Sequence, residues 1–331
     1  MTVRWGPGAV ALVATAAAAV VLVLVGYGSG AGLGTGSGGS VPAYAREPGV
    51  PRVKTERDRR ELPLEKEEFS ARDRGRIARA QSYEVRRCMR SFGFDDFPLE
   101  PGLGPLMAES YSATMTMVAM PSYGMLDLRQ ARRSGYGFDP ERTEAELKRI
   151  LPTGRAPTER EDGVLHGTAS ERVVNGREVP AGGCSAEGAR RLVRGVTDVD
   201  RMWTYVAGRQ EKLDKVVAED ERVRRAFRDW SRCVAGKGFR TYETPMAAFR
   251  DKEWRRGRDD GNTGRTSREL GTAVADVTCK RELNTAGVWW AVSEEVQRAD
   301  LRRNKSRYAA VRRDQQRVRD TVREVLGAKS R

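Results

Sequence analysis

The chain has 331 residues, of which 39% are hydrophobic and 32% are charged, and its formal net charge is +14. The low hydrophobic fraction argues against a compact, core-rich enzyme as the default class. The strong positive charge favours an anionic partner without identifying it.

The N-terminal region predicts export. A short N-terminus, 1–8, precedes an uncharged apolar run at 9–25. Arg4 lies before this run and no basic residue follows it until Arg46, so the N-terminus is predicted to stay inside and the remainder to lie outside. The run is long for a signal peptide and short for a membrane span, so we expect an uncleaved anchor, with a cleaved signal peptide as the alternative. Export argues against nucleic acid as the anionic partner.

The rest of the chain divides by composition. Residues 26–60 are rich in Gly, Pro and charge, which predicts a flexible linker. The remainder, 61–331, is predicted to be one extracytoplasmic domain that is mainly α-helical. Its predicted segments are a helix at 61–92, an irregular insert at 93–183 with a small β-hairpin at 171–180 around an Asn-Gly turn, a helix at 184–235, a connector at 236–265 and a long helix at 266–327.

The second and third helices carry a heptad pattern. Their apolar residues recur at alternating three- and four-residue spacing, which is typical of coiled-coil packing. Gly271 and Gly287 are candidate bends in the third helix. Because heptad seams form within one chain as well as between chains, the pattern leaves the oligomeric state open.

Two similar stretches predict two helix ends. Residues 87–94, RCMRSFGF, and 232–239, RCVAGKGF, both place Gly-Phe five residues after a Cys. With Gly93 and Gly238 in the left-handed conformation, each Phe contacts the apolar residue five positions before it. This is the Schellman pattern, so we interpret the repeat as structural.

The exported part contains four cysteines, Cys88, Cys184, Cys233 and Cys279. An even number in an oxidising compartment favours two disulfides, and the lack of a C-x-x-C pair, with His166 as the single histidine, argues against zinc. Two cysteines precede the predicted helix ends, and the other two lie near the starts of the following helices. We therefore expect Cys88–Cys184 and Cys233–Cys279 in an up-down-up bundle; the other pairings stay open at this stage.

Three segments together carry a resemblance. CVAGKGF at 233–239, VPAGGC at 179–184 and AVADVTCKRELNTAGVWWAV at 273–292 resemble exported four-cysteine helical proteins of high-GC actinobacteria. The similarity covers roughly residues 80–326. It implies export, disulfides and a helical body, and it implies no reaction, because that group is uncharacterised.

Most of the net charge lies at the C-terminal end. Residues 298–331 hold twelve basic and four acidic side chains, a surplus of eight. A basic helix of this kind suits an anionic cell-wall polymer, a membrane surface or an envelope partner protein, although a solvated coiled-coil face is an equally simple interpretation. Trp289 and Trp290 point to adjacent helix faces, so at most one is expected to be fully buried. The predicted binding residues are Arg302, Arg303, Arg312, Arg313, Arg317, Arg319, Trp254 and Trp289.

Two other functions are weaker interpretations of the sequence. Carboxylates in the insert, Asp95 and Asp96, could serve an exported cell-wall hydrolase as acid and base. A cluster of methionines at 107–125 has the soft ligands that Cu(I) prefers, but no Cys or His accompanies it. We therefore assign no catalytic residue, no metal ligand and no cofactor, and expect a non-enzymatic binding or scaffold module.

Overall fold

The computed structural model describes residues 41–98, 121–137, 155–254 and 263–327. These residues are mainly helical, with two disulfides and one two-stranded hairpin, which confirms the predicted fold class at that level. The apolar run at 9–25 lies outside the described residues. Among the residues that are described, no helix is long and apolar enough to cross a bilayer.

The connections between successive helices differ in length, and the hairpin lies between the third helix and the fourth. In chain order the elements are α1 (Ala71–Ser91), α2 (Leu128–Ser134), α3 (Glu159–His166), β1 (Val173–Val174), β2 (Arg177–Glu178), α4 (Gly183–Leu192), α5 (Val199–Glu219), α6 (Glu221–Gly236), α7 (Pro245–Phe249), α8 (Ser267–Leu283), α9 (Thr285–Arg303) and α10 (Lys305–Gly327). The two strands are antiparallel, with Val174 opposite Arg177.

Both predicted helix ends are confirmed. Gly93 and Gly238 have φ angles of +84° and +87°. The Phe94 N–H donates to the Met89 carbonyl at 3.2 Å, and the Phe239 N–H donates to the carbonyl five residues earlier at 3.4 Å. Both copies of the repeated sequence therefore end a helix with a Schellman motif.

The disulfides have the expected pairing, Cys88–Cys184 and Cys233–Cys279. The first joins the end of α1 to the start of α4, and the second joins the end of α6 to α8. Their sequence separations are 96 and 46 residues, so each contributes about 4–5 kcal/mol on the chain-entropy model.

The two predicted long helices are each divided into three. The stretch at 184–235 is α4, α5 and α6, and the stretch at 266–327 is α8, α9 and α10. Asp220 is extended, and its side chain caps α6 by accepting the Arg222 N–H. Asn284 is left-handed, at φ 57°, between α8 and α9. The heptad pattern runs through these breaks because the buried face continues on both sides of each corner.

The expected linker ends earlier than its composition suggests. Residues 41–69, here called the strap, lie against the helices and bury Val53, Leu62 and Leu64. Asn284 accepts the Val53 N–H at 3.0 Å, and Gln297 accepts the Leu64 N–H at 3.0 Å. The strap contains three short 3-10 helices, Ala43–Arg46, Glu56–Asp58 and Glu65–Glu67. Residues 41–60 therefore belong to the folded body, because side chains of the longer helices accept hydrogen bonds from the strap's backbone N–H groups.

A buried ion pair holds the loop before α2 against α8. Lys280 is fully buried, and its Nζ donates to the carbonyls of Tyr123 and Met125 at 2.8 and 2.7 Å and to Asp276. The Trp230 indole N–H also donates to the Asp276 carboxylate, at 2.9 Å. Burial raises the pKa of Asp276 and lowers the pKa of Lys280, and the attraction between the two charges opposes both shifts.

Removing the cation should be costly. Lys280→Met leaves the Asp276 carboxylate buried without a counterion, so the free energy of unfolding should fall by about 3–5 kcal/mol. The double variant with Asp276→Asn should regain part of this, because the amide oxygen still accepts the Trp230 N–H. Chemical denaturation measures both, with Lys212→Met on the exposed face of α5 as control. A Lys280→Met variant as stable as the control would contradict this role.

Gly287 and Gly208 both lie inside helices but in opposite surroundings. The strap crosses α9 at Gly287, where an added Cβ would lie 2.1 Å from the Pro51 carbonyl oxygen. At Gly208 in α5, a Cβ would have no atom within 4 Å. The glycine expected to bend the third helix thus serves close packing instead.

Alanine at these two positions should change stability in opposite directions. Gly287→Ala should lower the free energy of unfolding by about 1–3 kcal/mol, because the strap must move away. Gly208→Ala should raise it by about 0.5–1 kcal/mol, because alanine has less backbone entropy to lose in a helix. Thermal unfolding of the two variants compares them directly, and equal effects would mean that the strap does not pack on α9.

Candidate functional site

The site begins with a buried carboxylate at the corner between α9 and α10. Asp300 is fully buried in the last turn of α9. Arg209 from α5 donates to both of its oxygens, the Tyr308 hydroxyl donates at 2.7 Å, and the Asn304 side-chain amide donates at 2.9 Å. One carboxylate therefore joins α5, α9 and α10 and fixes the angle of the corner.

Asp300 is held in its charged form by hydrogen bonds within the protein. Burial alone would raise the pKa of Asp300, but hydrogen bonds from Arg209 and Tyr308 outweigh it and hold the pKa below the ordinary value. Burial and the neighbouring Asp300 charge in turn raise the pKa of the Tyr308 hydroxyl. Arg209 is the arginine that is ion-paired with this carboxylate, and the nearby charge of Arg303 adds a smaller attraction without a hydrogen bond.

The corner also carries several exposed cations, most of which have no ion pair with a described residue. Residues 301–313 contain six basic side chains and no Asp or Glu. Arg312 is ion-paired with Glu67 at 2.6 Å. The other five are exposed and form no ion pair with any residue that the structure describes. These five, here called the corner patch, are Arg302, Arg303, Lys305, Arg307 and Arg313.

Three of the predicted binding arginines have structural partners. Arg312 binds Glu67 in the strap, Arg317 donates to the Gly195 carbonyl, and the Arg319 Nε donates to Asp73 in α1 at 3.1 Å. Arg319 also covers the Phe69 ring, 5.1 Å from its centroid. The structure therefore brings Arg302, Arg303 and Arg313 together at an open surface and uses Arg312, Arg317 and Arg319 to hold α10.

The two predicted binding tryptophans are buried, which contradicts their expected role as surface contacts. Trp254 is 1% exposed and stacks on Tyr136, with ring centroids 5.4 Å apart. Trp289 is 5% exposed and packs edge-on against Tyr123. Trp290 is also buried, because the strap covers α9 on a side that the helical pattern alone leaves open. All three indoles belong to the core.

The residues of the hydrolase interpretation do not form an enclosed site. Asp95 and Asp96 are exposed after the end of α1, and Asp96 is ion-paired with Arg155 at 3.1 Å. His166 is also exposed, 3.6 Å from Asp162 one helical turn earlier. The described residues therefore do not bring these two aspartates into a cleft, and residues 99–120 and 138–154 of the insert lie outside the described part of the chain.

The metal interpretations find no support among the described residues. Most of the predicted copper cluster, 107–120, lies outside them, and Met125 is a buried core residue. Cys233, Cys279 and Glu282 lie close enough to share an ion. Their sulfurs are joined as a disulfide, however, so no thiolate is present to bind a metal.

Two members of the corner patch, Lys305 and Arg307, were not predicted from the sequence. The signal that could have found them is the interval between Asp300 and Asp314, which contains cations and no carboxylate. A count of total charge over 298–331 hides this interval, because it mixes paired with unpaired arginines.

The chain matches no family model, no curated protein and no solved structure. Its function is therefore argued from its own residues.

The pKa of Asp300 predicts how acid affects the corner. Because this pKa is lower in the folded state, the stabilisation is fully present above the ordinary carboxyl value of about 4 and is lost as the pH falls below it. Asp300→Asn should lower the free energy of unfolding by about 2 kcal/mol at pH 7, and the difference from wild type should shrink between pH 4 and pH 2. Denaturant titrations at several pH values test this.

Asp95→Asn is the matched control for that series. Asp95 is exposed and its side chain contributes no bond to the corner, so its replacement should change stability by less than about 0.5 kcal/mol. An Asp300→Asn variant whose stability differs from wild type by the same amount at pH 7 and pH 2 would contradict the ionised role of Asp300.

Proposed function

We propose that this protein is a non-enzymatic module of the cell envelope that binds an anionic envelope polymer through the corner patch. The observation that carries the proposal is the set of five exposed cations that form no ion pair within the described part of the chain, next to a corner that Asp300 fixes from inside. A ligand can bind these cations without first breaking an ion pair inside the protein. Binding to Arg312, Arg317 or Arg319 would compete with the contacts that these arginines already make.

The chemistry of the patch favours phosphate or carboxylate groups on a repeating chain. Four of its five members are arginines, whose planar guanidinium donates two parallel hydrogen bonds to such groups. A polymer presents many of these groups in sequence, so several weak contacts add within one molecule. The fixed corner also reduces the entropy lost on binding, because the helix backbone that carries the cations is already ordered.

The envelope location rests on two features. Two disulfides are typical of proteins that fold in an oxidising compartment. The apolar run at 9–25 with its charge asymmetry supports export. Our proposal includes an uncleaved anchor at this run, and an up-down-up course of the three helical stretches that the disulfides join. Secretion after signal cleavage is the alternative location.

Co-sedimentation with isolated cell wall across a salt series tests the proposal. The oxidised protein should bind at low salt and release steeply as salt is added, because salt screens exposed charges. The combined variant R302Q, R303Q, K305Q and R307Q should bind at least about tenfold more weakly. Soluble wall fragments are assayed in the same tubes, and none should appear.

The control removes the same charge from elsewhere. Arg57, Arg72, Arg129 and Arg132 are exposed and form no ion pair with a described residue. Their combined replacement by Gln lowers the net charge by four, as the corner variant does, and should leave binding within about twofold of wild type. Equal losses in the two variants would mean that net charge, and not the corner patch, determines binding. Release of wall fragments would instead favour the hydrolase.

A further inference from the structure

The strap joins the helical body at a defined place on α6. Val41 and Ala45 pack against Ala226 of α6 and Val288 of α9. Between them, the Tyr44 hydroxyl donates to the Asp229 carboxylate of α6 at 2.5 Å. The point where residues 1–40 connect to the body is therefore attached to the surface of α6.

That surface of α6 is basic. Arg224, Arg228 and Arg232 follow at four-residue spacing, so they form one row along the exposed side of the helix. Arg225 lies beside the row, with its guanidinium 4.6 Å from the centroid of the Tyr44 ring. Across 221–236 there are five arginines and two carboxylates, a surplus of three positive charges. We call the three members of the row the α6 row.

We propose that the α6 row contacts anionic phospholipid headgroups of the membrane that the apolar run at 9–25 anchors. Only fifteen residues, 26–40, separate that run from Val41, and a fully extended chain of this length spans about 50 Å. The membrane surface is thus always within reach of α6. Because the contact is intramolecular once the run is inserted, a short basic row with partly paired charges suffices where a free protein would need more charge.

The short connection to the apolar run, and not a high local charge, favours lipid over wall polymer at this surface. A groove of about 470 Å³ between the strap, α6 and α9 is lined by three arginines and four glutamates, so it adds no net positive charge to the row. Two members of the row also share their charge with a carboxylate, Arg228 with Glu221 and Arg232 with Asp229. This surface is therefore less cationic than the corner patch and depends on the nearby anchor for its effect.

The two basic surfaces lie at different ends of α9. Val288, beside the start of the strap, and Arg302, in the corner patch, are fourteen residues apart on one helix, which corresponds to about 21 Å. A membrane contact at α6 leaves the corner patch free for a polymer. This inference rests on the envelope location in the proposed function, but not on polymer binding.

Arginine labelling of the full chain tests the inference. The chain is reconstituted into vesicles of phosphatidylcholine, with or without 30% phosphatidylglycerol, treated with phenylglyoxal and mapped by peptide mass spectrometry. In the vesicles that contain phosphatidylglycerol, labelling of Arg224 and Arg228 should fall at least about fivefold. High salt should restore it, while labelling of Arg302 and Arg303 should change less than twofold.

The outcomes separate the two surfaces. Equal labelling of Arg224 and Arg228 in both kinds of vesicle, or failure of the full chain to associate with vesicles, overturns the inference. Protection of Arg302 and Arg303 in place of the α6 row also overturns it, and assigns the membrane to the corner patch. Addition of isolated wall polymer should protect Arg302 and Arg303 only. If polymer protects these two while lipid protects neither surface, polymer binding stands and only the α6 inference fails.

Discussion

The carboxylate of Asp300 determines the form of the C-terminal half of this protein. It is buried, it accepts hydrogen bonds from three different segments, and its one cationic partner, Arg209, comes from another helix. A buried carboxylate is tolerated only when its charge and its lone pairs are satisfied together. Satisfying Asp300 therefore fixes where α9 ends and α10 begins, and it directs the only carboxylate of that turn away from the exposed arginines.

The same principle operates throughout the fold. Lys280 and Asp276 hold the loop before α2, and Asn284 and Gln297 hold the strap. In each case a buried polar side chain satisfies backbone groups of a segment that contains no α-helix or β-strand. The helices thus organise the irregular segments through specific hydrogen bonds, and much of the positive surplus is left on outer surfaces. The proposed binding role rests on this distribution of charge.

Local patterns in the sequence were sufficient for the helical class, the hairpin and both Schellman stops, because these depend on residues near one another. They favoured the observed disulfide pairing but left the other pairings open. The breaks at Asp220 and Asn284 were missed, because the apolar residues keep the same spacing on both sides of each break. A heptad count therefore cannot detect the change in helix direction. The burial of Trp254 and Trp289 depends on partners distant in the sequence, such as Tyr136 and Tyr123. Ion pairs between arginines and carboxylates that are far apart in the sequence likewise cannot be predicted before the fold is known.

The most direct test of the account is an NMR titration of arginine side chains with isolated wall polymer. The Nε–H signal of each guanidinium reports contact at that residue, and two ion-paired arginines, the partly buried Arg209 and the exposed Arg312, serve as internal references. The account predicts that the signals of Arg302, Arg303, Arg307 and Arg313 shift in a salt-dependent manner while those of the two references stay in place. Shifts spread evenly over all exposed arginines, or confined to residues outside the corner patch, would contradict it.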